Sequence, residues 1–153
     1  MLRKRKVAFD VGKYLSSTGP GRSITRFKAK QIISFQGEPA NGLFYLSTGR
    51  AKLTVVFRAG KEATVTLLAG GDFFGEECMI RPPERRATSA TATTICAVLK
   101  IDLLELTRVL RAEHAFSDLF VQFVSLRSSR TQADLIPLPE TRLHQLQRPH
   151  PGS

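Results

Sequence analysis

Two pairs of charged residues stand close together in the middle of the sequence. Glu76 and Glu77 follow Gly75, and Arg85 and Arg86 lie on the far side of a short apolar stretch. A carboxylate can accept hydrogen bonds from sugar hydroxyls, and the planar fork of an arginine fits two phosphate oxygens at once. Glycine lets the backbone approach a ligand closely. These residue types at this spacing can form a nucleotide pocket.

The backbone around these charges favours the same chemistry. A helical turn over residues 75–79 would present free N–H groups at its start, which attract an anion. Glu76 then serves as the acceptor for a ribose hydroxyl, Arg85 serves as the phosphate ligand, and Ala87 is small enough to leave room. The competing interpretation is a surface salt bridge between a glutamate and an arginine across a turn. Residue spacing alone leaves both interpretations open.

The segments that must position these residues are short and rich in β-branched and aromatic residues. Several of them alternate, so that Leu53, Val55 and Phe57 can share one face. Gly60 in "FRAGKE" suits a hairpin turn. The even spacing of such segments predicts a β-sandwich or barrel. The predicted strands are RSITRF, KQIISF, GLFYLSTG, RAKLTVVFR, EATVTLL, RRATSATA and TICAVLKI.

Helical patterns flank this β region. Residues 9–17 have weak helical periodicity, and Asp102 is a good N-cap for a helix after the last strand. Residues 113–135 form a longer amphipathic pattern that Pro137 ends. The sequence therefore predicts an N-terminal helix, about eight strands and a long C-terminal helix. The apolar positions of that last helix are Phe116, Leu119, Phe120, Phe123 and Val124.

Length and composition limit the class of protein. The 153 residues suffice for one domain, and the net charge of +10 resides mostly in residues 1–30. The basic run at residues 3–6 is interpreted as a solvated tail, with contact to nucleic acid or an anionic surface as the alternative. There is neither an 18-residue apolar run nor a signal-peptide pattern, so a cytoplasmic protein without membrane contact is expected. Cys78 and Cys96 are expected to be buried, inert thiols, too few for an iron–sulfur site.

Several motifs resemble those of the cyclic-nucleotide-binding domain, and more closely the sensor half of the Crp/Fnr family of bacterial transcription regulators. The motifs are "QGEPA", "LSTGRAKL", "GDFFGE" and the R-x-A-T of "ERRAT". The resemblance extends over residues 9–136. It implies a mainly β fold, an eight-stranded antiparallel β-roll of the jelly-roll type with an N-terminal helix and a long C-terminal dimerisation helix. It also implies cyclic AMP or cyclic GMP as effector, no metal and no enzymatic activity.

The resemblance assigns roles to individual residues. Glu76 is expected to bind the ribose 2′-hydroxyl, Arg85 to bind the phosphate, and Arg86 to contribute mainly its backbone N–H. Ser128 and Ser129 fall on the long helix where some members of the family contact the purine. The complete expected site is Gly75, Glu76, Arg85, Arg86, Ala87, Ser128 and Ser129.

The sequence departs from the family pattern directly after the Gly-Glu pair. Strong cyclic AMP binders of the family have an aliphatic and a small residue there, whereas this chain has Glu77 and Cys78. A second carboxylate near a phosphate opposes it unless the side chain points outward. The alternatives are weak binding of a cyclic nucleotide, another ligand, or a vestigial pocket.

The resemblance also predicts how the chain is organised. Residues 1–8 are expected to be a basic tail, residues 9–136 the sensor domain, and residues 137–153 a truncated start of a DNA-binding domain. Because a winged helix-turn-helix needs a recognition helix, this chain alone is not expected to bind DNA sequence-specifically. Residues 113–135 are expected to form a weak homodimer interface.

Other classes of function fit the residues less well. A metal-dependent cupin needs histidines inside its barrel, but His114, His144 and His150 all follow the last predicted strand. The same absence argues against a catalytic Ser–His–Asp or Cys–His arrangement. A haem sensor has only Cys78 and His114 as candidate ligands. A dimerisation or decoy module that binds no ligand remains the main alternative.

Overall fold

The helices and strands follow the order expected from the sequence. The computed structural model describes residues 8–79 and 85–135, and in the last helix it describes side chains as far as Arg127. A 3₁₀ turn spans Glu76–Met79. The other elements are α1 (Val11–Leu15), β1 (Arg22–Phe27), β2 (Ile32–Ser34), β3 (Gly42–Thr48), β4 (Arg50–Val56), β5 (Glu62–Ala69), β6 (Phe73–Phe74), β7 (Ser89–Ala92), β8 (Cys96–Asp102), α2 (Leu103–Ala112) and α3 (His114–Leu135).

The described strands form two four-stranded sheets. The first sheet has the order β1-β8-β3-β6 and the second has the order β2-β7-β4-β5. All of their paired strands are antiparallel. The prediction of a mainly β fold with eight antiparallel strands and flanking helices is confirmed. The predicted tail and domain boundaries at residues 1–8 and 137–153 involve parts of the chain outside the described residues.

The first sheet has a hydrophobic core on each of its faces. Leu43 and Phe73 belong to the core between this sheet and the helices, whereas Phe44 and Phe74 belong to the core between the two sheets. The division follows from the strand geometry, because successive side chains of a strand point to opposite faces. β6 therefore contributes to both cores with only two residues.

Helix α3 packs on the first sheet through part of its apolar stripe. Phe116 and Phe120 are buried, and Phe123 packs against the same core. Leu119 does not follow them: it is 37% exposed. The buried face of helix α3 is thus narrower than the apolar face predicted from the sequence. Leu119 is available for another contact. Among the described residues, no helix has the length and hydropathy of a membrane span.

A polar contact joins the N-terminal helix to helix α2. The hydroxyl of Tyr14 donates to Oε2 of Glu105 at 2.5 Å, and Arg108 donates to both oxygens of that carboxylate at 2.8 Å. Burial raises the pKa of Tyr14, and its hydrogen bond to Glu105 raises it further. The hydrogen bonds from Arg108, followed by the bond from Tyr14, hold the pKa of Glu105 below its usual range despite partial burial.

Replacing Glu105 by glutamine is expected to destabilise the protein at neutral pH but not in acid. The pKa of Glu105 is lower in the folded protein than in the unfolded chain, where the pKa of a glutamate is about 4.3. The stabilisation is therefore present above that pH and is lost as the pH falls through the lower folded pKa. Urea unfolding at pH 7 and near the acid limit of folding measures the difference. The exposed Glu62→Gln variant is the control, and an equal loss at both pH values would contradict the prediction.

Candidate functional site

The turn after β6 carries the two adjacent glutamates. Gly75 has a φ of +81°, and the 3₁₀ turn begins directly after it at Glu76. A Cβ atom on residue 75 would lie 2.5 Å from Nη1 of Arg86 and 3.1 Å from the ring of Phe44. Both the backbone conformation and the lack of space therefore require glycine at this position.

Arg86 is a buried arginine beside this turn and is only 4% exposed. Its Nη1 donates to the carbonyl oxygen of Gly75 at 2.9 Å, and its Nη2 donates to that of Gly42 at 2.8 Å. The guanidinium also lies over the ring of Phe44, 4.8 Å from the ring centroid. A buried charge requires such partners. These contacts fix the guanidinium between β3 and the turn.

Glu77 supplies the countercharge for Arg86. Its Oε1 lies 3.1 Å from Nη1 of Arg86, and its Oε2 accepts a hydrogen bond from the backbone N–H of Ala87 at 3.3 Å. The side chain of Glu77 is 19% exposed. From the sequence, the Glu77 carboxylate is expected to oppose a bound phosphate. In the structure it is paired with the Arg86 guanidinium and the Ala87 N–H.

Arg85 occupies a different environment from Arg86. It is exposed, and its Nη1 donates to the carbonyl oxygen of Gly37 at 2.8 Å. The resemblance assigns a side-chain contact to Arg85 and a backbone contact to Arg86. In the structure, however, the Arg86 guanidinium contacts Gly75, and the Arg86 N–H already donates to the carbonyl oxygen of Glu38 at 2.7 Å. The ligand contacts of both arginines stay predictions.

Glu76 is paired with an arginine from helix α3. Its Oε2 lies 3.4 Å from Nη1 of Arg127, and Nη2 of Arg127 donates to the carbonyl oxygen of Phe73 at 2.8 Å. The Arg127 guanidinium also lies over the ring of Phe123, 4.5 Å from its centroid. Helix α3 is thereby connected to the carboxylate for which the sequence predicts a ribose contact.

The sequence analysis did not assign Arg127 to the site. A signal was present, because Arg127 follows Phe123 by four residues and therefore lies on the same helical face. That face carries Phe116 and Phe120 into the core. Extending the apolar stripe by one turn would have placed Arg127 next to the first sheet. A search for hydrophobic periodicity alone misses such a residue, because it considers only the apolar positions of the helix.

The remaining predicted site residues lie at the margins of this cluster. Ala87 is exposed and contributes its N–H to Glu77. Ser128 and Ser129 belong to helix α3, one and two residues after Arg127, but their side chains lie outside the described part of the chain. The structure thus brings together Gly75, Glu76 and Ala87 with Arg86, and it leaves the predicted purine contacts as predictions.

A cavity of about 280 Å³ lies on the inner face of the first sheet. The polar residues Ser23, Thr25 and Asn41 line it, together with three charged residues, Glu38, Lys100 and Arg86. Arg86 thus borders the cavity on one side and contacts Gly75 on the other. The cavity provides solvent-accessible space next to the buried guanidinium.

The cysteines do not form a reactive centre. Cys78 and Cys96 are both buried and free, as the sequence predicts. Burial raises the pKa of the Cys78 thiol to about 11 and raises that of Cys96 as well. Such thiols stay protonated at neutral pH and are poor nucleophiles. Within residues 8–79 and 85–135, no cluster of three or more His, Cys, Asp and Glu side chains forms a metal site.

Comparison with known proteins relates this arrangement to one family. The family model of the cyclic nucleotide-binding domain matches residues 24–113. The cAMP-activated global transcriptional regulator CRP of Pasteurella multocida is 26% identical over 140 residues, covering 79% of this chain and 67% of that protein. The cyclic AMP receptor protein of Thermus thermophilus is 29% identical over 113 residues, covering 72% of this chain and 51% of that protein.

Solved structures share the fold. A transcriptional regulator from Thermotoga maritima superposes with a TM-score of 0.70 at 18% identity, covering 83% of this chain and 95% of that one. This similarity concerns the arrangement of strands and helices. The matched part of the chain spans between about a third and two thirds of the length of the curated relatives that it matches.

Proposed function

The chain belongs to the cyclic nucleotide-binding domain family, and on this premise we propose that it is a sensor domain that binds a cyclic nucleotide. Cyclic AMP is the first candidate and cyclic GMP the second. The observation that carries the proposal is the convergence of the Arg86 guanidinium and the Ala87 N–H beside the Gly75–Glu76 turn. Two relatives whose names include cyclic AMP support the first candidate.

The proposed contacts follow from the chemistry of these groups. The phosphate takes hydrogen bonds from the Arg86 guanidinium and the Ala87 N–H, and Glu76 accepts one from the ribose 2′-hydroxyl. Arg85 is the alternative phosphate ligand that the sequence predicts, and its Nη1 donates to the carbonyl oxygen of Gly37. We place the phosphate at Arg86 because that side chain is already held beside Gly75.

Helix α3 completes the proposed site. Arg127 now engages Glu76, so a ribose hydroxyl would share or replace that contact. Ser128 and Ser129 follow on the same helix and are proposed to contact the purine. Ligand binding would in this way change what holds helix α3 to the turn after β6, which is a direct route from the ligand to the helix.

Calorimetric titration with cyclic AMP and cyclic GMP tests the proposal, with linear 5′-AMP as the control ligand. Arg86→Lys keeps the charge but removes the fork, so binding is expected to weaken by about 1.5–3 kcal/mol. Arg85→Lys is the matched comparison and is expected to weaken binding by less than about 1 kcal/mol. If the two effects are reversed, Arg85 is the phosphate arginine. If neither cyclic nucleotide binds the folded parent protein, the proposed function is refuted.

The alternative is a dimerisation or decoy module with a vestigial pocket. One observation favours it: the carboxylates of Glu77 and Glu76 are paired with Arg86 and Arg127 of the chain itself. A protein of this kind would show no heat of binding with either nucleotide. Helix α3 of such a module would still associate with another chain, because association would be the function of the module.

Helix α3 is proposed to form a weak homodimer. Leu119 and Leu126 are 37% and 66% exposed, and residues seven apart in a helix share a face. We expect two copies to pack these leucines against each other. Sedimentation of the protein over a wide concentration range, with and without cyclic AMP, measures the association. Leu126→Glu is expected to shift the protein to monomer, and a single monomeric species of the parent at high concentration would contradict the interface.

The biological role follows from the relatives and stays a proposal. The relatives are named as transcriptional regulators, and this chain corresponds to part of their length. We infer that the chain acts as the sensor part of a Crp/Fnr-type regulator in the cytoplasm, with no catalytic activity. We do not expect this chain alone to bind DNA sequence-specifically. A footprint on one DNA sequence that survives competitor DNA would contradict this expectation.

A further inference from the structure

Glu77 contacts the same donors to which the proposed function assigns the phosphate. Its two carboxylate oxygens accept from Nη1 of Arg86 and from the N–H of Ala87. A carboxylate and a phosphate present similar acceptor oxygens to a guanidinium, so both groups compete for the same hydrogen bonds. Glu77 therefore occupies the hydrogen-bonding position that the proposed function gives to the phosphate.

We propose that Glu77 is a specificity-determining residue, an internal anion that an anionic ligand must displace from Arg86 and Ala87. The inference rests on the proposed function, because it takes these donors to be the phosphate site. A phosphate that entered without displacing Glu77 would bring two negative charges to one guanidinium, which is unfavourable. Glu77 thus lowers the affinity of the site for every anion and leaves measurable affinity only to ligands with additional contacts, such as one to Glu76.

The geometry allows Glu77 to leave while Arg86 stays in place. Glu77 belongs to a 3₁₀ turn of four residues, and its side chain is 19% exposed, so solvent is within reach of its carboxylate. Arg86 is 4% exposed and is held independently by the carbonyl oxygens of Gly75 and Gly42. Removing the negative charge of Glu77 therefore leaves a positioned guanidinium and a free N–H.

The test compares Glu77→Gln with the parent protein in calorimetric titrations with cyclic AMP and with inorganic phosphate. The variant is expected to bind both probes more tightly, by about tenfold or more, because a neutral amide competes less well for the guanidinium. Glu62→Gln, on the exposed start of β5, removes the same charge away from the site and is expected to leave binding unchanged. Glu77→Ala is the second variant, and thermal unfolding establishes which variants are folded.

The outcomes separate this inference from the proposed function. If the folded variants bind both probes no more tightly than a parent that binds cyclic AMP, the inference is overturned and the proposed function stands. If they gain affinity for phosphate while no form binds a nucleotide, Glu77 is an internal anion and the nucleotide proposal is wrong. If no form binds either probe, both are overturned.

Discussion

Replacing Arg86 by alanine is expected to lower the free energy of unfolding by about 3–5 kcal/mol, because a buried guanidinium with three hydrogen bonds is lost and each buried group left unpaired costs about 1–3 kcal/mol. The substitution removes the side-chain donor to the carbonyl oxygens of Gly42 and Gly75 and to Oε1 of Glu77. It also removes the cation that lies over the ring of Phe44. Urea unfolding followed by circular dichroism measures the loss.

Arg85→Ala is the matched control for this prediction. The two arginines are adjacent and chemically identical, but Arg85 is exposed, and its side-chain hydrogen bond within the described residues is to the carbonyl oxygen of Gly37. An exposed contact of this kind contributes about 1 kcal/mol or less. If both variants lose the same free energy, Arg86 is not the buried anchor that its contacts indicate.

Replacing Phe73 by alanine is expected to cost about 3–5 kcal/mol, the range for truncating a buried aromatic side chain. The Phe73 ring packs edge-on against Phe116, Phe120 and Phe123 of helix α3, and it is 1% exposed. Its carbonyl oxygen also accepts from Arg127. We expect faster amide hydrogen exchange in helix α3 in addition to the loss of stability, because the helix loses its main partner on the first sheet.

Phe35→Ala provides the comparison for Phe73. It removes the same atoms from a side chain that is 50% exposed, and such changes cost about 1 kcal/mol or less. Exchange in helix α3 should then remain as in the parent. A Phe73→Ala variant with normal exchange in that helix would show that the helix is held mainly by other contacts.

Seven of the eight described strands overlap segments predicted from the sequence, because their patterns are local. The segment RSITRF coincides with β1, and the helical turn expected over residues 75–79 appears as the 3₁₀ turn Glu76–Met79. β-branched residues, turn glycines and period-two alternation all lie within a few residues of one another. β6 was not among the predicted segments, because two residues are too few for a local pattern and this strand is defined by its pairing with β3.

The arrangement of the site could be predicted only in part. The sequence indicated that an arginine stands beside the Gly-Glu turn, but which one depends on register, since a shift of one residue reverses the face of an extended segment. Arg85 and Arg86 differ in nothing else that a local pattern records. The pairing of Arg127 with Glu76 joins residues 51 apart in sequence, so it depends on the packing of helix α3 on the first sheet.

The shortest strand has a consequence for how the domain can move. Asp72, Phe73 and Phe74 stand between Gly71 and Gly75, which both have positive φ. Glycines of this kind are suitable hinges, while the two phenylalanines are fixed in the separate cores on either face of the first sheet. Because the two rings are buried in different cores, any displacement of this segment would change the packing of helix α3 and the space between the sheets at the same time.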